Sequence, residues 1–365
     1  MIESVPASTH RRLDSEDDAT VHRQTDSSCD GPITNSQDRG TPTAVTGTAS
    51  AADDTRTRVV GGRACAKINL TLDILGRRSD GYHELRSLVV GVGVYDSIRC
   101  RSAASPRVEL NCNNDSLSGA DNLAVRAATA LADHTGRDAA TRIELEKRIP
   151  LAAGLGGGSS DAAAVLRLCN ELWDTRLAAD ELARIGASLG SDVPLFFSLP
   201  AAVMTGRGER VRPVALRWSG WVLLVMVDVA VSTPDVYRAW GGIGEPSVSA
   251  GAIDALVDES SAAAMSPYLS NGLESAVFAV APAVRNAFDS LNRAGLGPMR
   301  VSGAGSTLYR LFDDEQAARQ AATEVTAAVR RVSTAVVAAP VAMDIERVGP
   351  GETHGARRPL RNGQR

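Results

Sequence analysis

A glycine-rich stretch in the middle of the chain, residues 150–161, constrains the fold more than any other feature. It reads Pro-Leu-Ala-Ala-Gly-Leu-Gly-Gly-Gly-Ser-Ser-Asp and leads into a predicted helix from Asp161 to Trp173. Glycines let the backbone curl so that successive N–H groups point at one anion. The positive end of the helix dipole adds to that attraction. The stretch therefore predicts a phosphate site, where Ser159 and Ser160 can donate to phosphate oxygens or ligate a magnesium ion.

Two familiar phosphate motifs do not fit this stretch. A Walker A loop ends in Gly-Lys-Ser/Thr, and the chain contains no Gly-Lys pair. A dinucleotide-binding loop follows the first strand of its unit and needs an acidic residue about 20 positions later. Here the loop is mid-chain, and Glu171 is at the wrong place. The alternative is a flexible glycine hinge capped by serines that binds no ligand. The clear start of a helix directly after the glycines disfavours this alternative.

Charge and composition exclude several classes of partner. A formal net charge of −4 does not indicate a protein that binds nucleic acid or a membrane surface. The longest apolar run, Trp221 to Val231, is too short to span a bilayer and instead predicts a buried strand. Five cysteines without metal-ligand spacing indicate reduced thiols in a cytoplasmic protein. Only His83 and His134 lie in the region expected to fold, which excludes a metal site of several histidines.

The two ends of the chain differ in composition from the middle. Residues 1–58 contain seventeen Ser or Thr and no aromatic residue, so we expect them to be disordered. Acidic residues at 14 and 16–18 argue against a transit peptide, and a start codon assigned too far upstream is an alternative. The polar segment 349–365 is also expected to be loose.

Between these ends, strands and helices mix without strict βαβ alternation, which predicts an α+β fold of two lobes. The expected N-terminal domain, 59–217, has strands at 59–75, 89–101 and 143–146, helices at 122–132 and 180–189, and a hairpin at 201–214. Asp121 is the expected cap of the helix at 122–132. The expected C-terminal domain, 218–348, has strands at 221–227, 299–302, 307–312 and 334–339, and helices at 234–240, 271–279, 282–294 and 315–331.

Lys67 stands out because Lys67 and Lys147 are the only lysines among 39 basic residues. Strand alternation puts Lys67 and Asn69 on one face of the first strand, with Ile68 on the other. A lysine and an asparagine that face together suit a polar cleft. An edge strand with a solvated outer face is the alternative.

Asp192 lies in a polar notch, Leu-Gly-Ser-Asp-Val-Pro, before an apolar run. A carboxylate there can accept a proton from a substrate hydroxyl, which is the work of a general base. It can equally cap a helix or a strand. A neighbouring ammonium such as that of Lys67 would keep the carboxylate ionised.

Two turns carry further candidates. Tyr82 and His83, in Asp-Gly-Tyr-His-Glu, can read a planar base by stacking or hydrogen bonding, although a lone turn histidine is more often incidental. The segment Ser302 to Thr307 is a second glycine turn, suited to pack against the phosphates of a nucleotide. A plain tight hairpin is the alternative for that turn.

Taken together, these segments resemble the GHMP kinases over about residues 59–340. Ala-Lys-Ile-Asn-Leu (66–70), Asp-Gly-Tyr-His-Glu-Leu (80–85), the glycine loop (153–163) and Leu-Gly-Ser-Asp-Val-Pro (189–194) follow the order of the family's signatures. Gly-Arg-Gly-Glu (206–209), Ser-Thr-Pro-Asp-Val-Tyr (232–237) and the second glycine turn extend the likeness. The resemblance implies a two-lobed fold, with a first lobe like domain 2 of ribosomal protein S5 and a ferredoxin-like second lobe.

The resemblance also implies the reaction. The Asp-Gly-Tyr-His segment is typical of the branch that transfers the ATP γ-phosphate to the 2-hydroxyl of 4-diphosphocytidyl-2-C-methyl-D-erythritol, in the non-mevalonate isoprenoid pathway. Asp192 would deprotonate that hydroxyl and Lys67 would polarise it, with Mg²⁺ assisting the transfer. The partners implied are small molecules, with no nucleic acid and no membrane, for a monomer or homodimer.

Binding roles follow by the same resemblance. Asn69, Tyr82, His83, Thr233 and Tyr237 would bind the acceptor. ATP would be bound by Pro150, Leu151, Ala152, Ala153, Gly154, Leu155, Gly156, Gly157, Gly158, Ser159 and Ser160, together with Asn122 and Lys147.

Three positions depart from the family pattern. Cys65 and Val229 stand where proline is common, and Gly272 replaces an aspartate. None of them removes the expected base, lysine or loop. A kinase for homoserine or mevalonate is a rival hypothesis, disfavoured by the Tyr-His turn. A nucleotide-binding regulator without catalysis is another, disfavoured because Lys67 and Asp192 are both present.

Overall fold

The structure is a computed structural model that describes residues 58–241, 250–328, 332–341 and 343–346. The expected disordered segments therefore lie outside the described residues, except for Arg58. Among the helices of the described part, none has the length and hydropathy needed to cross a bilayer.

The first part of the chain builds a large mixed sheet. Its elements are β1 (Val59–Asn69), β2 (Thr71–Arg77), β3 (His83–Ser102), β4 (Glu109–Cys112), a 3₁₀ turn (Asp115–Leu117), α1 (Leu123–Thr135), β5 (Thr141–Glu146), α2 (Gly157–Leu172), α3 (Ala179–Leu189), a 3₁₀ turn (Pro194–Phe197), β6 (Ala201–Gly206) and β7 (Arg210–Pro213). The long strand β3 pairs antiparallel with β1, β2, β5 and β6, so it organises this sheet.

The helices of this part begin where local chemistry allows. Asn122, rather than the expected Asp121, caps α1, because its side chain accepts a hydrogen bond from the Ala124 N–H. The helix predicted from Asp161 begins earlier, at Gly157. Gly156 has φ 70°, and this left-handed turn directs the next residue straight into the helix. The glycine loop and the start of α2 are thus one continuous structure.

The second part of the chain contains β8 (Trp221–Val227), α4 (Thr233–Ala239), α5 (Ala250–Asp258), α6 (Ala262–Met265), a 3₁₀ turn (Ser266–Tyr268), β9 (Ser270–Asn271), α7 (Glu274–Val280), α8 (Pro282–Arg293), β10 (Arg300–Val301), β11 (Leu308–Phe312), α9 (Glu315–Ala328), β12 (Val332–Ala338) and β13 (Asp344–Glu346). A smaller sheet has the order β10-β11-β8-β12, with antiparallel pairing throughout. With α8 and α9 between its strands, this is the βαββαβ order of a ferredoxin-like lobe. The expected α+β fold of two lobes is confirmed.

The two parts share strands and a core. Residue 271, expected to begin a helix, instead forms β9 with residue 270 and pairs parallel with β2. Near the C-terminus, β13 pairs with β1. A buried cluster joins Ile68 and Leu70 of the large sheet to Leu224 and Tyr309 of the small one. Lys67 and Asn69 point away from this cluster, on the opposite face of β1, and the candidate site is built on that face.

Candidate active site

A single cavity of about 1000 Å³ brings together most of the residues that the sequence singled out. Its lining includes Lys67, Asn69, Tyr82, His83, residues 150–158, Asp192, Thr233 and Tyr237. These residues come from β1, the turn before β3, the glycine loop, the segment after α3, and α4. Residues as far apart in sequence as Lys67 and Ala304 therefore line one cavity.

The glycine loop lies directly over β1. Its curvature comes from Gly154 and Gly156, with φ of 75° and 70°. The Lys67 N–H donates to the Leu155 carbonyl (3.0 Å), so the strand and the loop are hydrogen-bonded. A Cβ on Gly156 would lie 3.0 Å from Cγ of Lys67, so any side chain there would push Lys67 out of its present position. The loop backbone and the lysine thus approach each other as closely as glycine permits.

The second glycine turn, Ser302 to Thr307, packs against the loop itself. The Ser302 hydroxyl donates to the Gly154 carbonyl (3.2 Å), and the Thr307 N–H donates to the Ala153 carbonyl (3.2 Å). A Cβ on Gly303 would lie 3.3 Å from Nζ of Lys67. This turn from the ferredoxin-like lobe therefore closes one side of the site over Lys67.

Lys67 is buried, with its side chain 7% exposed, so the edge-strand alternative is wrong. Its Nζ donates to Oδ1 of Asn69 (2.8 Å) and lies 3.9 Å from Oδ2 of Asp192. Asn69 in turn donates to the Ser87 hydroxyl (2.8 Å), which holds the amide in place. Burial lowers the pKa of Lys67 below its usual value, and the Asp192 carboxylate opposes that shift.

Asp192 is the more open member of the pair, with its side chain 39% exposed. The 3₁₀ turn that follows it has Val193 as its N-cap, and α3 ends at Gly190. Asp192 therefore caps neither element, and its carboxylate is available to a ligand in the cavity. The arrangement offers an accessible carboxylate beside a buried ammonium, with the glycine loop next to both.

Aromatic rings form the far end of the cavity. The His83 ring lies 5.0 Å from the Tyr237 ring and packs edge-on against Trp240 at 5.3 Å, measured between centroids. Tyr82 is 52% exposed, and its ring faces the Arg207 guanidinium. Burial, together with the charge of Arg77, lowers the pKa of His83, so the imidazole is neutral at pH 7. These rings can hold a flat, uncharged ring between them.

Known proteins share this architecture. Residues 122–200 match the model of the GHMP kinases N terminal domain, and residues 252–331 match that of the GHMP kinases C terminal domain. A 4-diphosphocytidyl-2-C-methyl-D-erythritol kinase of Symbiobacterium thermophilum is 39% identical over 265 residues, covering 69% of this chain and 90% of the relative. The enzyme of that name from a Geobacter species is 40% identical, covering 72% and 92%. The chain belongs to the GHMP kinases.

Solved structures agree with this assignment. A crystal structure of 4-(cytidine 5'-diphospho)-2C-methyl-D-erythritol kinase has a TM-score of 0.64 at 31% identity, covering 78% of this chain and 99% of the other. A homoserine kinase of Cytophaga hutchinsonii has a TM-score of 0.63 at 17% identity, covering 80% and 98%. The second likeness shows the fold alone.

Lys147 of this GHMP kinase lies under the loop. Its Nζ contacts one carboxylate oxygen of Asp96 and donates to Oδ2 of Asp161 (2.7 Å), and all three side chains are buried. Burial alone would lower the pKa of Lys147, but the two carboxylates raise it. The ammonium expected to reach the nucleotide therefore joins the segment before the loop to the N-terminal part of α2, at Asp161. Asp96 also accepts from the N–H groups of Arg148 and Ile149.

The two serines proposed for magnesium have different surroundings. The Ser160 hydroxyl is fully buried and donates to the Cys65 carbonyl (2.7 Å), so its proton is already committed to the protein, and its metal role stays a prediction. Ser159 is half-buried, near Gly190, and is the more exposed candidate of the pair. The described residues contain no cluster of three or more His, Cys, Asp or Glu that could hold a metal.

Asn122 has a structural role in the kinase. Its amide caps α1 and also donates to the Leu117 carbonyl (2.8 Å). Beside the glycine loop, a smaller cavity of about 570 Å³ is lined by residues 113–116 and 147–151. It meets the main cavity at Pro150 and Leu151. The nucleotide role of Asn122 stays a prediction.

The three departures from the family pattern fit their positions. At Cys65 the register of β1 against β3 shifts, as at a β-bulge, where proline is also tolerated. A Cβ on Gly272 would lie 3.2 Å from the Leu72 carbonyl oxygen, so glycine eases this contact. The N–H of Val229, which a proline would lack, donates to the Val227 carbonyl (2.8 Å). The described cysteines are free, as expected.

Sequence reasoning missed several residues near the site. Trp240 follows Tyr237 by three positions, a helical spacing that could have indicated a shared face. Arg207 belongs to the Gly-Arg-Gly-Glu segment but was given no role. Asp96 is 51 positions from Lys147 and carries no local signal.

Proposed function

We infer that this GHMP kinase transfers the γ-phosphate of ATP to the 2-hydroxyl of 4-diphosphocytidyl-2-C-methyl-D-erythritol. One observation carries this proposal: the Lys67–Asp192 pair lines the same cavity as the glycine loop and the aromatic rings. The relatives at 39–40% identity have this activity in their names. The proposal therefore combines the geometry of the site with membership of the family.

Asp192 and Lys67 have different roles in the proposed reaction. Asp192 accepts the proton of the 2-hydroxyl, and the oxygen so activated attacks the γ-phosphorus of ATP. The bond between that phosphorus and the ADP oxygen breaks, and ADP leaves with the electron pair. Lys67 is 3.9 Å from Asp192 and donates to the developing negative charge on the transferred group. Asn69 holds the ammonium in place for this role.

The loop and α2 receive the phosphates of ATP. Backbone N–H groups around Gly154 to Gly158 and the N-terminal end of a 16-residue helix favour anions at this point. The adjoining cavity at residues 113–116 suits the adenosine part, because it opens onto the main cavity beside the loop. Mg²⁺ supplies charge neutralisation of the phosphates when bound, and Ser159 is the hydroxyl offered to it.

The aromatic end accepts the cytosine. Neutral His83 has one ring nitrogen that donates and one that accepts, which matches the edge of cytosine. Tyr82 and Tyr237 supply ring faces for stacking. A kinase for homoserine or mevalonate has no use for these rings. We also propose that the protein acts in the cytoplasm, as a monomer or homodimer.

Release of ADP in a coupled assay tests this function. We expect turnover of 4-diphosphocytidyl-2-C-methyl-D-erythritol and little turnover of homoserine or mevalonate. Asp192→Asn should lower kcat by about 100-fold or more, since it removes the proton acceptor. Asp289→Asn is the control, because that exposed carboxylate on α8 pairs with Arg285 and lines neither cavity. Equal use of the three alcohols would refute the acceptor, and an unchanged rate for Asp192→Asn would refute the base.

A further inference from the structure

Arg207 is a charged residue of the cavity that the mechanism leaves unused. It sits on the turn between β6 and β7, is half-buried, and lines the main cavity. Its guanidinium carbon lies 5.0 Å from the centroid of the Tyr82 ring, in cation–π geometry. The guanidinium is thus held at the aromatic end of the site.

The turn that carries Arg207 also reaches the proposed base. Gly206 and Gly208 have φ of 73° and 111°, and the Arg207 N–H donates to Oε2 of Glu209 (2.7 Å). A Cβ on Gly208 would lie 3.6 Å from Oδ1 of Asp192. One short turn therefore lies close to Asp192 at Gly208 and reaches Tyr82 through the Arg207 side chain. The turn that carries Arg207 thus lies between the aromatic end of the cavity and the Lys67–Asp192 pair.

The charge of Arg207 is not satisfied by the protein. Among the described residues, no carboxylate forms an ion pair with its guanidinium within 4.0 Å. By contrast, Arg238, which lines the same cavity, donates to Asp235 at 2.6 Å. The charge of Arg207 helps to lower the pKa of Asp80, but the Asp80 carboxylate forms its ion pair with Arg78. An unpaired guanidinium in a partly closed cavity is ready for an anionic ligand.

The proposed acceptor supplies that anion at the required place. Its diphosphate links the cytosine to the polyol, and the turn that carries Arg207 reaches Tyr82 on one side and approaches Asp192 on the other. We propose that Arg207 binds the diphosphate of the acceptor and so selects a nucleoside-diphosphate-linked polyol over a free alcohol. This assignment rests on the proposed function. Arg77, the other arginine of the cavity lining with no ion pair to a described carboxylate, is exposed at the end of β2 and does not stack on Tyr82.

Binding of CDP and of cytidine separates the two parts of this recognition. Both are titrated calorimetrically into the full-length protein, with the ATP site filled by a non-hydrolysable ATP analogue. In Arg207→Gln we expect the affinity for CDP to fall about 10- to 100-fold, because a charge-assisted hydrogen bond to phosphate is lost. The affinity for cytidine, which lacks phosphate, should change less than about threefold.

Two variants complete the design. Arg212→Gln removes the same charge from the exposed part of the same hairpin and should leave both affinities unchanged. Arg207→Lys keeps a positive charge without the planar fork and should recover part of the CDP affinity. A parallel loss of CDP and cytidine affinity in Arg207→Gln would assign the residue to supporting Tyr82 and overturn the proposal.

Failure of the proposed function has a different signature. If wild-type protein does not turn over the diphosphocytidyl substrate, the function is wrong whatever Arg207 does. If it turns over that substrate and Arg207→Gln keeps both CDP affinity and the KM for the acceptor, the function stands and the Arg207 assignment is wrong.

Discussion

At the scale of single residues, the two lysines show how surroundings decide chemistry. Lys67 and Lys147 are both buried near the glycine loop. Lys67 has one carboxylate, Asp192, at 3.9 Å, so burial dominates and its pKa falls. Lys147 contacts both Asp96 and Asp161, so its pKa rises. The first ammonium is left with hydrogen-bonding capacity for substrate, and the second is committed to the protein.

These opposite shifts can be measured because the chain contains only two lysines. With lysine labelled by ¹³C at Cε, NMR should show Lys67 titrating below pH 10.5 and Lys147 above it. Asp192→Asn removes a negative charge that favours the charged amine, so it should lower the pKa of Lys67 further and leave Lys147 unchanged. Lys147→Arg assigns the two signals. Titration of Lys67 above Lys147 would contradict this account.

At the scale of elements, the glycine loop can lie close to Lys67 because its glycines have no side chains. Gly156 has positive φ, and a Cβ there would press on Lys67 and on Phe196, at 3.0 and 3.2 Å. Gly136, at the end of α1, also has positive φ (65°) but faces open space. The two glycines therefore share a left-handed backbone and differ in close contacts, which makes them a matched pair for substitution by alanine.

Gly156→Ala and Gly136→Ala should each lower the free energy of unfolding by about 1–2 kcal/mol, the cost of a left-handed alanine. Only Gly156→Ala should also lower kcat, by about 10- to 100-fold, because it displaces Lys67 from the loop. Denaturant unfolding and the coupled ADP assay give the two values. A loss of kcat of the same size in Gly136→Ala would mean that strain, rather than the contact with Lys67, causes the effect.

At the scale of the whole molecule, the site depends on how the two sheets meet. The hydroxyl of Tyr309, on β11, donates to the carbonyl of Asn69 at the end of β1 (2.9 Å). This bond crosses 240 positions of sequence and is fully buried. It ties the ferredoxin-like lobe to the strand that carries Lys67.

Tyr309→Phe should lower the free energy of unfolding by about 1 kcal/mol or more, since a buried carbonyl loses a donor. Tyr268→Phe is the control, because the hydroxyl of Tyr268 makes no hydrogen bond within the described part of the chain. That change should cost less than about 0.5 kcal/mol. Urea unfolding measures both values, and equal stabilities of the two variants would show that the bond to Asn69 contributes nothing.

Local sequence patterns predicted much of the fold and part of the candidate site. Strand alternation correctly put Lys67 and Asn69 on the face opposite Ile68. Periodicity found most helices, and the glycine run found the loop at the start of α2. The helix expected at 271–279 began three residues late, because Ser270 and Asn271 pair with β2. Nothing near them in sequence signals that partner.

The glycine run by itself determined a curved loop at the start of a helix and so predicts a phosphate site there, because curvature and dipole are local properties of the residues involved. Tertiary structure alone decided which polar groups serve that site. Lys147 and Ser160 are next to the loop in sequence, yet Asp96 and the Cys65 carbonyl take their hydrogen bonds. Asp192 is far away in sequence, yet it faces Lys67. Such pairings depend on burial and on which strands meet, and these are settled only when the whole chain folds.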